Sequence, residues 1–475
     1  MVILPILRRF SKILLLIIIF SFLYSFISIV KYNHFQTSLD LAIYVQTFWN
    51  YAHLKLPYVT LYPTNGDLVW VDHFSPSLFL LTPLFLLWQD PRMLLIIQST
   101  LFMLGAYPIY RFSFDKFKSE ALSISFAIVY IVFFGTQFAL TTDFHEANIA
   151  AAFFPWIFWF MFRKQWSIFL ILSLISLGFK EDVPIYMATI GVYMFISGLN
   201  KKIGMFLSVI SIFYFFIISH YIMPIFVHYY QRPTTAPYFS IEYLNPIYIF
   251  FNSPIKIKTM ILIFTNFLVL PIFSGYFLIL PLIHLFINFT SPGLSGRWDI
   301  YMHYRVYLAS IMSFAAIIGL ANIISKYQYL KRKSVKIIIA ILLIGLSVVF
   351  DGVLHLPLNT LLKPQFYRSE SWMNDLDGLI KQIPPQASLL TTNQILAHAA
   401  NRPNIKFYNY DVNDLKKLEQ YEYILLDLRL NQSIINFWYS KKDISEMTSS
   451  IRFLIDNHLY EQYSKKNDAV LFKRL

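Results

Sequence analysis

Residues 143–202 read DFHEANIAAAFFPWIFWFMFRKQWSIFLILSLISLGFKEDVPIYMATIGVYMFISGLNKK, and the order of charge in this stretch decides the fold. Three apolar runs are separated by loops that alternate in kind: Asp143-Phe144-His145-Glu146, then Arg163 and Lys164, then Lys180-Glu181-Asp182, then Lys201 and Lys202. Apolar runs bounded this way are membrane spans, and Lys and Arg concentrate in cytoplasmic loops. The loops bearing acids and histidines therefore lie on the extracytoplasmic side.

Outward from this stretch, the same parity holds. Lys116 and Lys118 fall inside, as do Lys331-Arg332-Lys333, while loops 223–258 and 290–303 fall outside. The N-terminus carries Arg8, Arg9 and Lys12 before an apolar run, 13–30, with no small-residue cleavage site, so it reads as an uncleaved first span entering from the cytoplasm. Further spans are expected near 93–112, 119–139, 149–163, 167–179, 184–198, 203–222, 259–274, 276–289, 304–325 and 336–354. Several are shorter than the ~20 residues a bilayer asks for. Residues 75–88 are short and contain Pro76 and Pro83, and a full crossing there would break the parity, so a half-membrane or interfacial helix is expected.

Composition agrees. A chain that is 57% hydrophobic and 19% aromatic cannot cover its apolar surface as one water-soluble globule. The formal charge of +13 comes from clusters lying between spans, where topology and anionic headgroups account for it, and no nucleic-acid partner is implied. With no cysteine, disulfides, thiolate chemistry and Cys-based metal sites are excluded. The expected fold is an all-α polytopic membrane protein of about 11–12 transmembrane helices, with a small C-terminal extracytoplasmic α/β domain. The transmembrane domain covers 1–355, with a first outer loop at 31–74, and the soluble domain covers 356–475. In the latter, Ala387–Thr392, Ile405–Tyr408 and Tyr423–Asp427 read as short strands between turn and helix signals.

The ionisable residues of the outer face form the candidate site: Asp40; Asp72 and His73; Asp143, His145 and Glu146; Lys180, Glu181 and Asp182; Arg297 and Asp299; His303, Tyr304 and Arg305. Charges near a span cost free energy, about 2.5–3.5 kcal/mol each at its centre, so they are usually paired or functional. Each has an ordinary explanation: a solvated loop for Asp40, a helix cap for Asp143 to Glu146, a self-neutralising cluster for Lys180 to Asp182, a headgroup anchor for Arg297. Taken together they offer a carboxylate base, candidate metal ligands and cations for a phosphate. Helical spacing puts Asp40, Tyr44 and Thr47 near one face. In the C-terminal region Asn393, His398 and Arg402 are equally explained by capping and packing, and the sequons at Asn288 and Asn431 are short enough to arise by chance.

Six stretches carry a resemblance: SLDLAIYVQTFWN at 38–50, DHFSPSLFLLTPLF at 72–85, DFHEANIAAAFFPW at 143–156, KEDVPIY at 180–186, MHYRVYLAS at 302–310 and IPPQASLLTTNQILAHAANRP at 383–403. In this order they resemble the domain-of-unknown-function 2079 family of predicted membrane proteins. Where that family has Phe-His-Pro-Glu, this chain has Phe144-His145-Glu146. The family is in turn similar to the GT-C superfamily of membrane glycosyltransferases, which take a sugar from a polyprenyl-phosphate carrier and invert the anomeric carbon.

This second resemblance implies that Asp40 is the base acting on an envelope acceptor, and that Lys180, Arg297 and Arg305 hold phosphate. His73, Asp143, His145, Glu146, Glu181, Asp182, His303 and Tyr304 would line the donor and acceptor pocket. Asp143, His145 and Glu146 would be the ligands if a divalent cation, Mg²⁺ or Mn²⁺, takes part. Two other functions fit the residues: a transporter or flippase of a lipid-linked or anionic solute, using the carboxylates and histidines as a proton relay, and a non-catalytic envelope assembly protein.

Overall fold

The computed structural model describes residues 3–62, 66–226, 245–290, 295–408, 420–429 and 441–475. Residues 227–244 of loop 223–258 and the sequon at Asn431 lie outside the described residues. The chain is mostly helical, and it divides into two compact units built from interleaved segments. One gathers Met1–Ile27, Trp70–Leu78 and Ile96–Lys363; the other gathers Ser28–Val69, Phe79–Leu95 and Pro364–Leu475.

Among the described residues, six helices are long and apolar enough to cross a bilayer: Lys12–Asn33, Pro91–Phe117, Lys201–Phe226, Leu270–Phe289, Gly296–Lys326 and Lys333–Val353. A seventh is a pair, Glu120–Val132 and Phe134–Thr141, bent by 45°. Four further apolar helices, Pro76–Phe85, Glu146–Phe162, Trp166–Leu177 and Val183–Ile196, are shorter. The segment expected as one span over 259–274 instead breaks at Leu268 and Val269, both with positive φ, and the next apolar helix starts at Leu270. Residues 75–88 hold a 3-10 turn, Pro76–Leu81, and one helical turn, Thr82–Phe85. At ~2.0 and ~1.5 Å per residue they reach roughly 18 Å, short of a ~30 Å hydrocarbon core.

In the first unit, broken helices are repaired by side chains. The 45° bend at Phe133 frees backbone carbonyls that have no water to turn to in lipid. Thr136 Oγ1 donates to the Tyr130 carbonyl at 2.8 Å, and Gln137 Nε2 donates to the Val132 carbonyl at 2.8 Å. The same amide donates to Asp351 Oδ1 at 2.9 Å and accepts from the Leu358 N–H at 2.9 Å, so one glutamine satisfies the kink and pins the end of the 333–353 helix. Helices Val183–Ile196 and Lys201–Ile217 meet at Gly191 and Gly204, where a Cβ would come within 2.4 to 2.6 Å of the opposing backbone. Only glycine lets these backbones approach so closely.

The second unit contains the expected C-terminal sheet. A two-stranded ribbon, β1 (Tyr58–Val59) with β2 (Asp67–Leu68), stands apart from a five-stranded sheet of β3 (Leu389–Thr391), β4 (Ile405–Phe407), β5 (Tyr423–Asp427), β6 (Tyr460–Lys466) and β7 (Ala469–Arg474). Its order is β4-β3-β5-β7-β6; β3 runs parallel to both β4 and β5, and β7 is antiparallel to β5 and β6. All five residues of β5 are buried, as the centre of a sheet requires. Leu390, Ile424, Leu426 and Phe472 pack against Met447, Ile451 and Leu454 of helix Lys441–Asp456.

The early loop belongs to the same unit. Gln46 Nε2 donates to Thr60 Oγ1 at 2.9 Å and to the Arg402 carbonyl at 3.2 Å, and Thr60 Oγ1 both donates to the Ile405 carbonyl at 2.6 Å and accepts from its N–H at 3.0 Å. A column of stacked groups runs beside this junction. The His398 ring lies between Tyr32 at 4.0 Å and Phe35 at 3.9 Å; Phe35 leads to Trp372 at 5.9 Å, and Arg429 covers Trp372 at 3.3 Å. At the other end Arg92 lies over Tyr32 and Trp88. A carboxylate holds each terminal arginine, Asp90 for Arg92 and Asp427 for Arg429.

Candidate functional site

The first unit brings together most of the ionisable residues singled out in the sequence. Glu146 opens helix Glu146–Phe162 and is fully buried, with the extended His145 before it as the cap residue. Its Oε1 receives Lys180 Nζ in a close ion pair and lies 3.9 Å from His73 Nε2. His73 Nδ1 is 2.9 Å from Glu181 Oε1, and its Nε2 is 4.0 Å from Asp72. The result is a chain of alternating charge: Glu181, His73, Glu146, Lys180.

Neighbours set the charge of each group. Burial and Lys180 pull the His73 imidazole down, but Glu146, Glu181 and Asp72 outweigh them and lift it to about 9. Burial also disfavours charge on Lys180, yet the carboxylates around it hold its ammonium well above the usual lysine value. Burial raises Glu181, and His73 and Lys180 more than reverse this, so its carboxyl ends below the ordinary range. Asp182 goes the other way: burial pushes it up to about 6 against the pull of Lys180, with Glu181 and Glu146 adding to the rise. Tyr307 donates to its Oδ1 at 3.3 Å.

Lys180, Glu181, Asp182 and Tyr307 line a small cleft of about 30 Å³, whose polar wall also carries Arg297, His303 and Tyr304. Glu181 Oε2 and His303 Nδ1 are buried there with no hydrogen-bond partner. Arg297 lies over the Tyr304 ring at 5.1 Å, and the His303 ring stacks on His145 at 3.8 Å.

The structure bears on three of the expected roles. Arg305 is fully buried and already engaged by the protein: its Nε donates to the Asp299 carbonyl at 3.2 Å, and its terminal nitrogens reach the Arg297 carbonyl and His284 Nε2. It holds the turn that presents Arg297. The Asp143, His145 and Glu146 metal set is not assembled, since among the described residues no three His, Asp or Glu side chains converge as a metal needs. Glu146 is committed to Lys180, and the Asp143 carbonyl accepts from Gln98 at 3.3 Å. Asp40 belongs to the other compact unit, where it is exposed in the first turn of helix Leu39–Ala52 and its N–H is capped by Ser38 Oγ at 3.4 Å.

Sequence reading missed the polar groups inside apolar runs. Gln98, within LLIIQSTLF, is buried and pins the acid-bearing turn, its Oε1 accepting from Asn148 Nδ2 at 3.0 Å and from the His145 N–H at 3.4 Å. His284, within PLIHLFINF, accepts at Nε2 from Arg305 at 3.3 Å and from Asn288 at 3.4 Å. Its proton must then sit on Nδ1, which donates to Tyr186 Oη at 2.8 Å on the cleft wall. A lone Gln or His in the middle of an apolar stretch was the available signal, because an unpaired polar group there is too costly to keep.

No curated protein matches the sequence. The family model for predicted membrane proteins designated DUF2079 matches residues 31–471, nearly the whole chain, and the chain belongs to that family.

Proposed function

We propose that this protein is a membrane glycosyltransferase that takes a sugar from a polyprenyl-phosphate donor and transfers it, with inversion, to an envelope acceptor at the extracytoplasmic face. The observation that carries the reading is the cleft, which sets Arg297 and Lys180 beside a carboxyl group, Asp182, poised at about 6. Cations of this kind offset the negative charge gathering on a departing phosphate. A carboxylate near neutrality takes the proton from an acceptor hydroxyl as its oxygen bonds to the anomeric carbon and the bond from that carbon to the phosphate oxygen breaks. Such general-base help contributes roughly 10²–10⁴-fold. The resemblance assigns this proton to Asp40, and the cleft offers Asp182. The positive-inside pattern of the basic loops supports an outward-facing cleft and an extracytoplasmic C-terminal sheet.

The test uses the full chain in lipid nanodiscs with a panel of radiolabelled polyprenyl-phosphate sugars, with and without Mg²⁺ or Mn²⁺. Wild type is expected to release or transfer sugar. Whichever of Asp40→Asn and Asp182→Asn abolishes turnover while retaining donor binding identifies the base. Arg297→Ala is expected to weaken donor binding about tenfold or more. Failure of wild type to bind or consume any donor would sink the reading in favour of transport or assembly.

A further inference from the structure

A second polar site lies within the C-terminal sheet. From β3 the chain passes through helix Asn393–Ala399 into β4 on one side, while the next parallel strand, β5, lies on the other side of β3. Where successive connections leave in opposite directions, a crevice opens at the carboxyl ends of the strands, and this is where parallel α/β sheets bind ligands. Gln394 spans the crevice: its Nε2 donates to Asp427 Oδ2, at the end of β5, at 2.9 Å. Asp427 also accepts from Arg429 Nε at 2.8 Å.

Bonding to that carboxylate fixes the Gln394 amide with its nitrogen toward Asp427, so its oxygen is left over. Gln394 Oε1, Asn393 Oδ1 and Thr392 Oγ1 are all buried with no hydrogen-bond partner, on residues that are 3%, 3% and 0% exposed. Buried acceptors without partners are few in native proteins. Three on consecutive residues at a switch point find no partner in the adjoining core, where the side chains of Leu390, Ile424 and Leu426 offer no polar atom.

We propose that this crevice binds the hydroxyl groups of a saccharide. Two amide oxygens call for hydrogen-bond donors, and the Thr392 hydroxyl both donates and accepts, which matches neighbouring sugar hydroxyls. A nucleotide fits poorly: the stretch from Thr391 to Leu396 has no glycine to bring backbone N–H groups against a pyrophosphate, and two unpaired amide oxygens would oppose its charge. The proposal does not rest on glycosyl transfer and survives its failure.

The test is saturation-transfer NMR on the full chain in nanodiscs free of sugar-headed detergent, with D-glucose, D-mannose, N-acetyl-D-glucosamine and maltotriose as probes. At least one is expected to receive saturation from wild type, cut about fivefold or more in Asn393→Leu and in Thr392→Val. Thermal midpoints at or above wild type are expected in both, because each substitution removes an unsatisfied buried atom. Thr392→Val keeps the side-chain shape and decides the matter if Asn393→Leu does not fold. No transfer to any of the four saccharides, or undiminished transfer in the folded variants, overturns the proposal.

Discussion

Two histidines, one in each compact unit, face opposite surroundings. His73 has Glu181, Glu146 and Asp72 around it and is lifted to about 9, whereas His398 is held between the rings of Tyr32 and Phe35 and is pulled by burial to about 3. Its Nε2 meets the Tyr32 carbonyl at 2.9 Å, so the neutral ring donates a hydrogen bond as well as stacking. Neighbouring charges decide which way an enclosed imidazole shifts, and enclosure alone does not. His73 therefore serves as a cation in a polar cluster, and His398 serves as an aromatic plate.

The sharpest way to break the contrast is Glu146→Gln. It leaves the Lys180 ammonium beside a neutral amide in a buried position, and truncating one partner of a buried pair costs about 3–5 kcal/mol. Thermal unfolding in nanodiscs should register that loss, and the double variant with Lys180→Met should recover part of it. An unchanged midpoint in the single variant would mean that the pair contributes nothing.

A pH series should then move the two histidines in opposite directions. The folded value for His73 lies above that of an unfolded histidine, about 6.5, so its stabilisation is complete below that pH and is lost as the pH climbs through about 9. The folded value for His398 lies below it, so stability falls as the pH drops from about 6.5 toward 3, where the unfolded chain takes up the proton first. Each effect is on the order of 1–3 kcal/mol. His73→Gln should flatten only the alkaline limb of the midpoint profile and His398→Phe only the acid limb. If either variant flattens the opposite limb, the assignment is wrong.

The smallest effect belongs to the end of the aromatic column. Arg429→Lys keeps a charge near Asp427 but loses the planar stack on Trp372, and should cost about 0.5–1 kcal/mol. A change in the near-ultraviolet circular dichroism of the tryptophans would accompany it.

The sequence disclosed most of the polar cluster because charge beside long apolar runs is conspicuous: Lys180, Glu181, Asp182, Glu146 and His73 all meet as their loops suggested. The strands at 389–391, 405–407 and 423–427 were likewise visible as short β-rich runs. Other features leave no local trace. Arg305 looks identical to Arg297 in a string of letters, and only packing shows one beneath the turn and the other on the cleft wall. The placement of Asp40 was hidden for a related reason. The contacts that draw residues 28–69 into the second unit, Gln46 with Arg402 and Thr60 with Ile405, join positions more than three hundred residues apart. No periodicity records such a pairing.

That separation sets a clock on biosynthesis. Thr60 must find a partner 345 positions downstream. At synthesis rates of about 5–20 residues per second the wait is roughly 15–70 s, during which Thr60, Gln46 and the ring of Tyr32 have emerged while β3, β4 and His398 do not yet exist. The early loop spends that interval as an incomplete half, in need of shelter from other chains. A truncation near residue 360 would leave it so permanently, which makes the last quarter of the chain the point at which quality control can tell a finished molecule from an abandoned one.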